Sequence, residues 1–207
     1  MRERVVIPEE GRRPIASRRH PSVPPSEYRP YRVGEDLVPE MALAGGGFSV
    51  RMTGLTHDET GRAVTDTEAQ AALLPRLIRK VLENRDVYEL YETRQVADAE
   101  VLIVAYGIMG RSAIGAVELA RSHGVRAGLF RPRTVWPFPT DALLRAARSV
   151  RRVVVAEINM GQVSLEVERI LAGKCPVVRV TSPGGAVIPP EQILEAIGPR
   201  REVVARR

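Results

Sequence analysis

The sequence of 207 residues is long enough for one ordinary domain with attachments, or for two small domains. Its formal net charge is +6, but acidic and basic residues are interspersed, a pattern that does not indicate a nucleic-acid surface. A single cysteine excludes intramolecular disulfides and cysteine-ligated metal or iron–sulfur sites within this chain. Because no apolar run reaches membrane-spanning length and no signal peptide is recognisable, we expect a cytoplasmic protein that binds neither nucleic acid nor a membrane.

The first third of the chain lacks a sustained helical or strand period. Residues 48–53 alternate in the way that is typical of a short strand, and the remainder of residues 1–66 predicts an extended segment rich in proline and glycine. Thr67 is a suitable N-cap for a helix that continues to about Asn84, with a kink or a late start at Pro75. We therefore divide the chain into a connecting segment (1–66), a linking helix (67–85), a folded domain (86–198) and a basic tail (199–207).

The folded domain alternates apolar strands with amphipathic helices. Residues 87–92 alternate polar and apolar side chains, which predicts a short antiparallel strand at one side of the sheet. The later strands are buried runs that end near Tyr106, Phe130, Ala156 and Val180, each followed by a loop and a helix. This order predicts a three-layer α/β/α domain with a mostly parallel sheet and one antiparallel strand, preceded by an extended irregular N-terminal segment.

The loops that leave the carboxyl ends of parallel strands meet at one edge of a sheet, where ligands and partners bind. In the first loop, Gly107, Gly110 and Arg111 could hold an anion at a helix N-terminus. The alternative is a tight strand-to-helix turn that requires glycine, and the loop lacks the lysine and the glycine spacing of known phosphate motifs.

The next two loops predict a contact with another domain or subunit. Arg131 and Arg133 lie beside Trp136 in a proline-rich turn, and arginine and tryptophan are common interface anchors. The alternative is a rigid crossover in which Trp136 and Phe138 cover the core. A lone carboxylate such as that of Glu157 is also typical of a turn or an ion pair. The candidate interface consists of Arg131, Arg133, Trp136, Glu157 and Asn159, and we identify no catalytic, cofactor-binding or metal-ligating residue.

Several motifs occur in the order in which they occur in one enzyme family. They are Tyr28-Arg-Pro-Tyr, Thr53-Gly-Leu-Thr-His-Asp-Glu-Thr-Gly, Ala105-Tyr-Gly, and Arg131-Pro-Arg-Thr-Val-Trp-Pro-Phe-Pro followed by Glu157-x-Asn-x-Gly-Gln. Together they resemble the C-terminal part of the alpha subunit of 2-oxoacid:ferredoxin oxidoreductases, most closely the 2-oxoglutarate type. The part after residue 86 resembles the transketolase C-terminal domain.

The resemblance implies a complex that uses thiamine diphosphate, magnesium and an iron–sulfur cluster to decarboxylate a 2-oxo acid. Such a complex forms an acyl-coenzyme A and reduces ferredoxin, and its thiamine diphosphate lies between the pyrimidine-binding domain of the alpha subunit and the beta subunit. We expect this chain to lack that domain, to bind no cofactor alone and to depend on that domain and the beta subunit as partners. The alternatives are a domain of another thiamine enzyme, such as a 2-oxoacid dehydrogenase beta subunit, and a free-standing anion-binding module.

Overall fold

A computed structural model describes Ile7 and residues 17–198, so the predicted basic tail (199–207) lies outside the described residues. The chain divides into two compact units, which we call the N-terminal unit (Met1–Glu83) and the sheet domain (Asn84–Arg207). The described part contains no helix that is both long enough and apolar enough to cross a membrane. The predicted four-part division of the chain stays a prediction.

The N-terminal unit is held together largely by hydrogen bonds between irregular segments. The hydroxyl of Tyr28 donates to the carbonyl of Glu40 at 3.1 Å and accepts from the amide of Ala42 at 3.2 Å. The hydroxyl of Tyr31 does the same with both backbone groups of Thr53, at 3.2 and 3.0 Å. Residues 48–53 form no strand, so that prediction is wrong. The Tyr31 hydroxyl, and not a neighbouring strand, pairs with the backbone groups of Thr53.

One helix, α1 (Thr67–Leu82), completes the N-terminal unit. Its N-cap is Asp66 and not Thr67, because the Asp66 carboxylate accepts a hydrogen bond from the amide of Ala69 at 2.7 Å. Pro75 lies inside the helix and does not delay its start.

The sheet domain begins with a short helix, α2 (Arg85–Tyr88), and an edge strand, β1 (Tyr91–Arg94). The predicted strand at residues 87–92 is therefore displaced, although its antiparallel pairing at the sheet edge is correct. β1 pairs with β3 so that Tyr91 lies opposite Pro132. The Tyr91 ring stacks on Phe130 at 5.4 Å, a contact between distant segments that fixes where the strand begins.

Four parallel strands and four helices form the rest of the domain. The order in the sheet is β1-β3-β2-β4-β5, with β1 antiparallel to β3 and the other pairs parallel. The remaining elements are β2 (Val101–Ala105), α3 (Met109–Ser122), β3 (Ala127–Pro132), α4 (Thr140–Ala146), β4 (Arg152–Glu157), α5 (Gln162–Leu171), β5 (Val177–Thr181) and α6 (Pro190–Ile197).

Two hydrophobic clusters cover the two faces of the sheet. Helices α3 and α6 pack on one face, and α4 and α5 pack on the other. All five residues of β2 are buried, as the continuous apolar run at the centre of the sheet requires. The predicted three-layer α/β/α fold is confirmed, and it brings the loops after β2, β3, β4 and β5 to one edge.

Candidate functional site

The carboxyl ends of the four parallel strands carry the loops that we call the carboxyl rim. They comprise residues 106–108, 133–139, 158–161 and 182–189. Each loop carries a large hydrophobic side chain that remains exposed: Ile108 (44%), Trp136 (53%), Met160 (73%) and Val187 (46%). The interior positions of β2 and β4 are buried, so this apolar surface results from the loops and not from an incomplete core.

The loop after β3 divides its two aromatic residues between core and surface. Phe138 is 5% exposed and its ring lies 6.5 Å from that of Phe130, whereas half of Trp136 is exposed. The amides of Arg133 and Thr134 both donate to the carbonyl of Leu90, at 2.8 and 3.1 Å. The chain itself therefore holds the loop in place, with Trp136 on the outside.

Arg131 near the end of β3 and Arg133 in this loop share one carboxylate of β1. Arg131 and Arg133 lie 3.3 and 3.6 Å from the Glu92 carboxylate, and Arg131 also donates to the carbonyl of Gly107 at 3.3 Å. The Arg131 side chain packs over Gly110 of α3, where a Cβ atom would approach its Cδ to 2.8 Å. Arg131 thus joins β1, β3 and the start of α3, and the more exposed Arg133 is better placed to meet a partner.

The first loop does not form the anion site considered from the sequence. The amides of Met109, Gly110 and Arg111 donate to the carbonyls three residues earlier, at 3.1, 3.3 and 3.1 Å. Gly107 has a φ of +54°, which explains its glycine. With these amides already paired, Gly107, Gly110 and Arg111 form a tight strand-to-helix turn.

Glu157, the last residue of β4, is fully buried, and its side chain faces α5, the helix that follows. Its carboxylate accepts hydrogen bonds from the amide of Val163 at 3.0 Å, the amide of Ser164 at 2.8 Å and the Ser164 hydroxyl at 2.5 Å. The N-cap residue of α5, Gly161, has no side chain that could bind these amides. Glu157 therefore replaces the N-cap side chain and does not belong to an exposed interface.

Asn159 links the same loop to a tyrosine that sequence reasoning missed. Its Oδ1 accepts from the amides of Gly161 and Gln162 at 2.7 and 3.3 Å, and its Nδ2 donates to the Tyr106 hydroxyl at 2.7 Å. Burial, and then the charge of Glu157, raise the pKa of Tyr106 above its usual value of 10.0. The neutral phenol therefore keeps its proton at the carboxyl rim, and its position directly after β2 was the available sequence signal.

A comparison of the sequence with models of protein families finds a match within the sheet domain. A model described as pyruvate:ferredoxin oxidoreductase core domain II matches residues 99–193. Residues 99–193 are thus similar to this core domain II. The match begins just before β2 and ends inside α6, so it includes all four loops of the carboxyl rim.

Relatives extend the similarity beyond core domain II. The chain is 40% identical over 198 residues to 2-oxoglutarate synthase subunit KorA of Methanothermobacter thermautotrophicus, covering 95% of this chain and 52% of KorA. It is 39% identical over 118 residues to ketoisovalerate oxidoreductase subunit VorB of the same organism, covering 57% of this chain and 32% of VorB. The chain thus spans about half the length of the curated relatives that it matches over most of its own length.

A solved relative agrees with the fold. 2-Oxoglutarate:ferredoxin oxidoreductase from Magnetococcus marinus, with 2-oxoglutarate, coenzyme A and succinyl-CoA bound, aligns with a TM-score of 0.63 at 22% identity. The alignment covers 82% of this chain and 30% of that one. The resemblance inferred from the motifs, to alpha subunits of 2-oxoacid:ferredoxin oxidoreductases, is confirmed, and the homologues are subunits of multi-subunit oxidoreductases.

Proposed function

We propose that this chain is part of the alpha subunit of a thiamine diphosphate-dependent 2-oxoacid:ferredoxin oxidoreductase that acts on 2-oxoglutarate. Homologues that cover nearly the whole chain are 2-oxoglutarate synthase subunits, and the solved relative holds 2-oxoglutarate and succinyl-CoA. In the proposed reaction, the 2-oxo acid is decarboxylated oxidatively, the acyl group passes to coenzyme A and the electrons pass to ferredoxin.

The described residues do not fit a complete thiamine diphosphate site. The carboxylate of Glu157 is occupied by three donors of its own chain, so it cannot activate an aminopyrimidine ring. Within Ile7 and residues 17–198, no group of three histidine, cysteine, aspartate or glutamate side chains could hold a metal ion. We therefore assign no chemical step to this chain and propose that a pyrimidine-binding domain and a beta subunit supply the cofactor site.

The proposed role of core domain II is to position its neighbours. The observation that carries this proposal is the row of exposed apolar side chains, one on each loop of the carboxyl rim. Burying such side chains against a partner is favourable, and an aromatic anchor such as Trp136 can dominate the binding energy. Arg133 adds a charged group beside that anchor. Small displacements of a reacting group cost rate, so a domain that only fixes geometry still affects turnover.

Association and turnover measured together test this proposal. The chain would be produced with a beta subunit and a pyrimidine-binding domain of this enzyme class. In that complex we expect coenzyme A-dependent reduction of ferredoxin by 2-oxoglutarate, and weaker association by about 30-fold or more for Trp136→Ala. The matched control is Leu165→Ala, which truncates an equally exposed side chain one turn into α5, outside the four loops of the carboxyl rim.

The outcomes separate the two parts of the proposal. Unchanged association of Trp136→Ala would contradict docking through the carboxyl rim. Turnover of 2-oxoglutarate by the isolated chain would contradict the assignment of the chemistry to its partners. An assembled complex that oxidises no 2-oxo acid would contradict the proposed activity while leaving the docking surface intact.

A further inference from the structure

A hollow lies on the face of the sheet that α4 covers, beside the edge strand β1. It has a volume of about 360 Å³ and is bounded by β1, the segment before β2, and α4 with the turn that follows it. Its apolar lining consists of small side chains: Val96, Ala97, Ala99, Ala142 and Ala146. Because α4 has only seven residues and contributes alanines here, nothing fills the space beside Tyr91 and Thr93.

Two arginines at this hollow differ from the others in the sheet domain. Arg145 and Arg148 both line it, and no hydrogen bond or ion pair engages either guanidinium among the described residues. Every other arginine described in this domain has a partner, such as Asp98 for Arg121 or Glu168 for Arg179.

The hollow also lacks an acidic side chain. No aspartate or glutamate lines the hollow, whereas Thr93 and Ser149, which carry hydroxyl groups, both line it. In a domain whose remaining described arginines are engaged, two guanidinium groups that line one hollow without a counter-charge create a locally positive surface. Guanidinium groups bind phosphate oxygens with two parallel hydrogen bonds, which a lone ammonium cannot do.

We propose that this hollow is a binding site for a phosphate monoester that carries a flat apolar group. Arg145 and Arg148 hold the phosphate at the edge of the hollow. The apolar group lies on the alanine floor beside Tyr91, whose ring already stacks on Phe130 and is therefore fixed. A volume of about 360 Å³ lies at the small end of the range for ligand sites and suits one ring with its phosphate. The site is independent of the proposed function, since none of the residues that line it belongs to the four loops of the carboxyl rim.

Calorimetry on the full chain with three small probes tests the site. Phenyl phosphate is expected to bind one molecule per chain, more tightly than inorganic phosphate, and phenol is expected not to bind. Changing Arg145 and Arg148 together to glutamine should weaken phenyl phosphate binding by about tenfold or more. The control replaces Arg85 and Arg169, each of which pairs with a nearby glutamate, by glutamine and removes the same charge.

A second variant tests the apolar floor separately from the charge. Ala146→Leu fills the hollow, so it should abolish the advantage of phenyl phosphate over inorganic phosphate while thermal unfolding confirms that the chain remains folded. Equal loss of binding in the arginine pair and its control would overturn the proposal, because the attraction would then follow net charge alone. Failure of phenyl phosphate to bind would overturn it too, and binding of a polyglutamate peptide instead would assign the hollow to an acidic protein segment.

Discussion

The hydroxyl and the amide of Ser164 both donate to the carboxylate of Glu157, at 2.5 and 2.8 Å, although seven positions separate the two residues. Both are fully buried. The carboxylate thus joins the end of β4 to the first turn of α5, whose N-cap glycine provides no acceptor. A residue that appeared to face a partner instead stabilises the domain.

Replacing Glu157 by glutamine should destabilise the sheet domain by about 1–3 kcal/mol, because the new amide group turns a donor toward amides that need an acceptor. Urea unfolding of the purified chain measures this loss. The control is Glu166→Gln on the exposed surface of the same helix, where a surface ion pair with Arg169 contributes at most about 1 kcal/mol. Equal losses in the two variants would show that the Glu157 hydrogen bonds contribute little.

Gly128→Ala should also destabilise the domain, by about 1–3 kcal/mol. A Cβ atom at Gly128 in β3 would lie 2.8 Å from the carbonyl oxygen of Gln95 and 3.0 Å from the Cβ of Ala99. The carbonyl belongs to the backbone and cannot rotate away as a side chain would. Thermal unfolding provides the measurement, and Gly184→Ala, whose added Cβ meets nothing within 4 Å, is the control. A stabilised Gly128→Ala would mean that the 95–99 segment moves freely.

The ion pair between Asp98 and Arg121 should make stability depend on acid pH. The hydrogen bond from Arg121 lowers the pKa of Asp98 below its usual value of 3.8. A lowered folded-state pKa contributes stability above pH 3.8, and this contribution disappears as the pH falls through the folded-state value. The difference in unfolding free energy between the wild type and Asp98→Asn should therefore shrink on acidification from about pH 6 to about pH 2, a range that contains the ordinary titration of carboxyl groups. A constant difference across that range would contradict this assignment.

Alkylation of Cys175 should be slow in the folded chain. Burial raises the pKa of this thiol above its usual value of 9.0, and the thiolate is the reactive form. Because the sequence contains one cysteine, the rate of reaction with iodoacetamide reports on this site alone. Near neutral pH, the rate in the folded chain should be lower than the rate in the urea-unfolded chain. As the pH increases, the rate in the folded chain should begin to rise at a higher pH than the rate in the unfolded chain. Equal rates in the folded and unfolded chains would show that the thiol is not shielded.

The sequence predicted the fold well where a local pattern decides the structure. The buried run at residues 101–105 could only be a central strand, and the helices predicted after the four apolar strands are present as α3, α4, α5 and α6. The edge strand was misplaced because residues 87–92 alternate only briefly. Its true start depends on Tyr91 contacting Phe130, almost forty positions away in sequence, and no local pattern contains that contact.

The carboxyl rim was located correctly, but the direction of the Glu157 side chain at the end of β4 was not. Trp136 and Glu157 both follow apolar strands, and their sequence contexts give equal reason to place them at a surface. The fold turns one outward and the other toward the amides of α5. Gly161 was the missed signal, because a helix that begins after a glycine needs an acceptor from elsewhere.

The hydroxyls of Tyr28 and Tyr31 each satisfy a backbone donor and a backbone acceptor on a distant segment. Backbone groups of Glu40, Ala42 and Thr53 that are held in this way cannot pair with a strand of another polypeptide. Two phenol hydroxyls thus add to the prolines of this irregular region, which also disfavour such pairing.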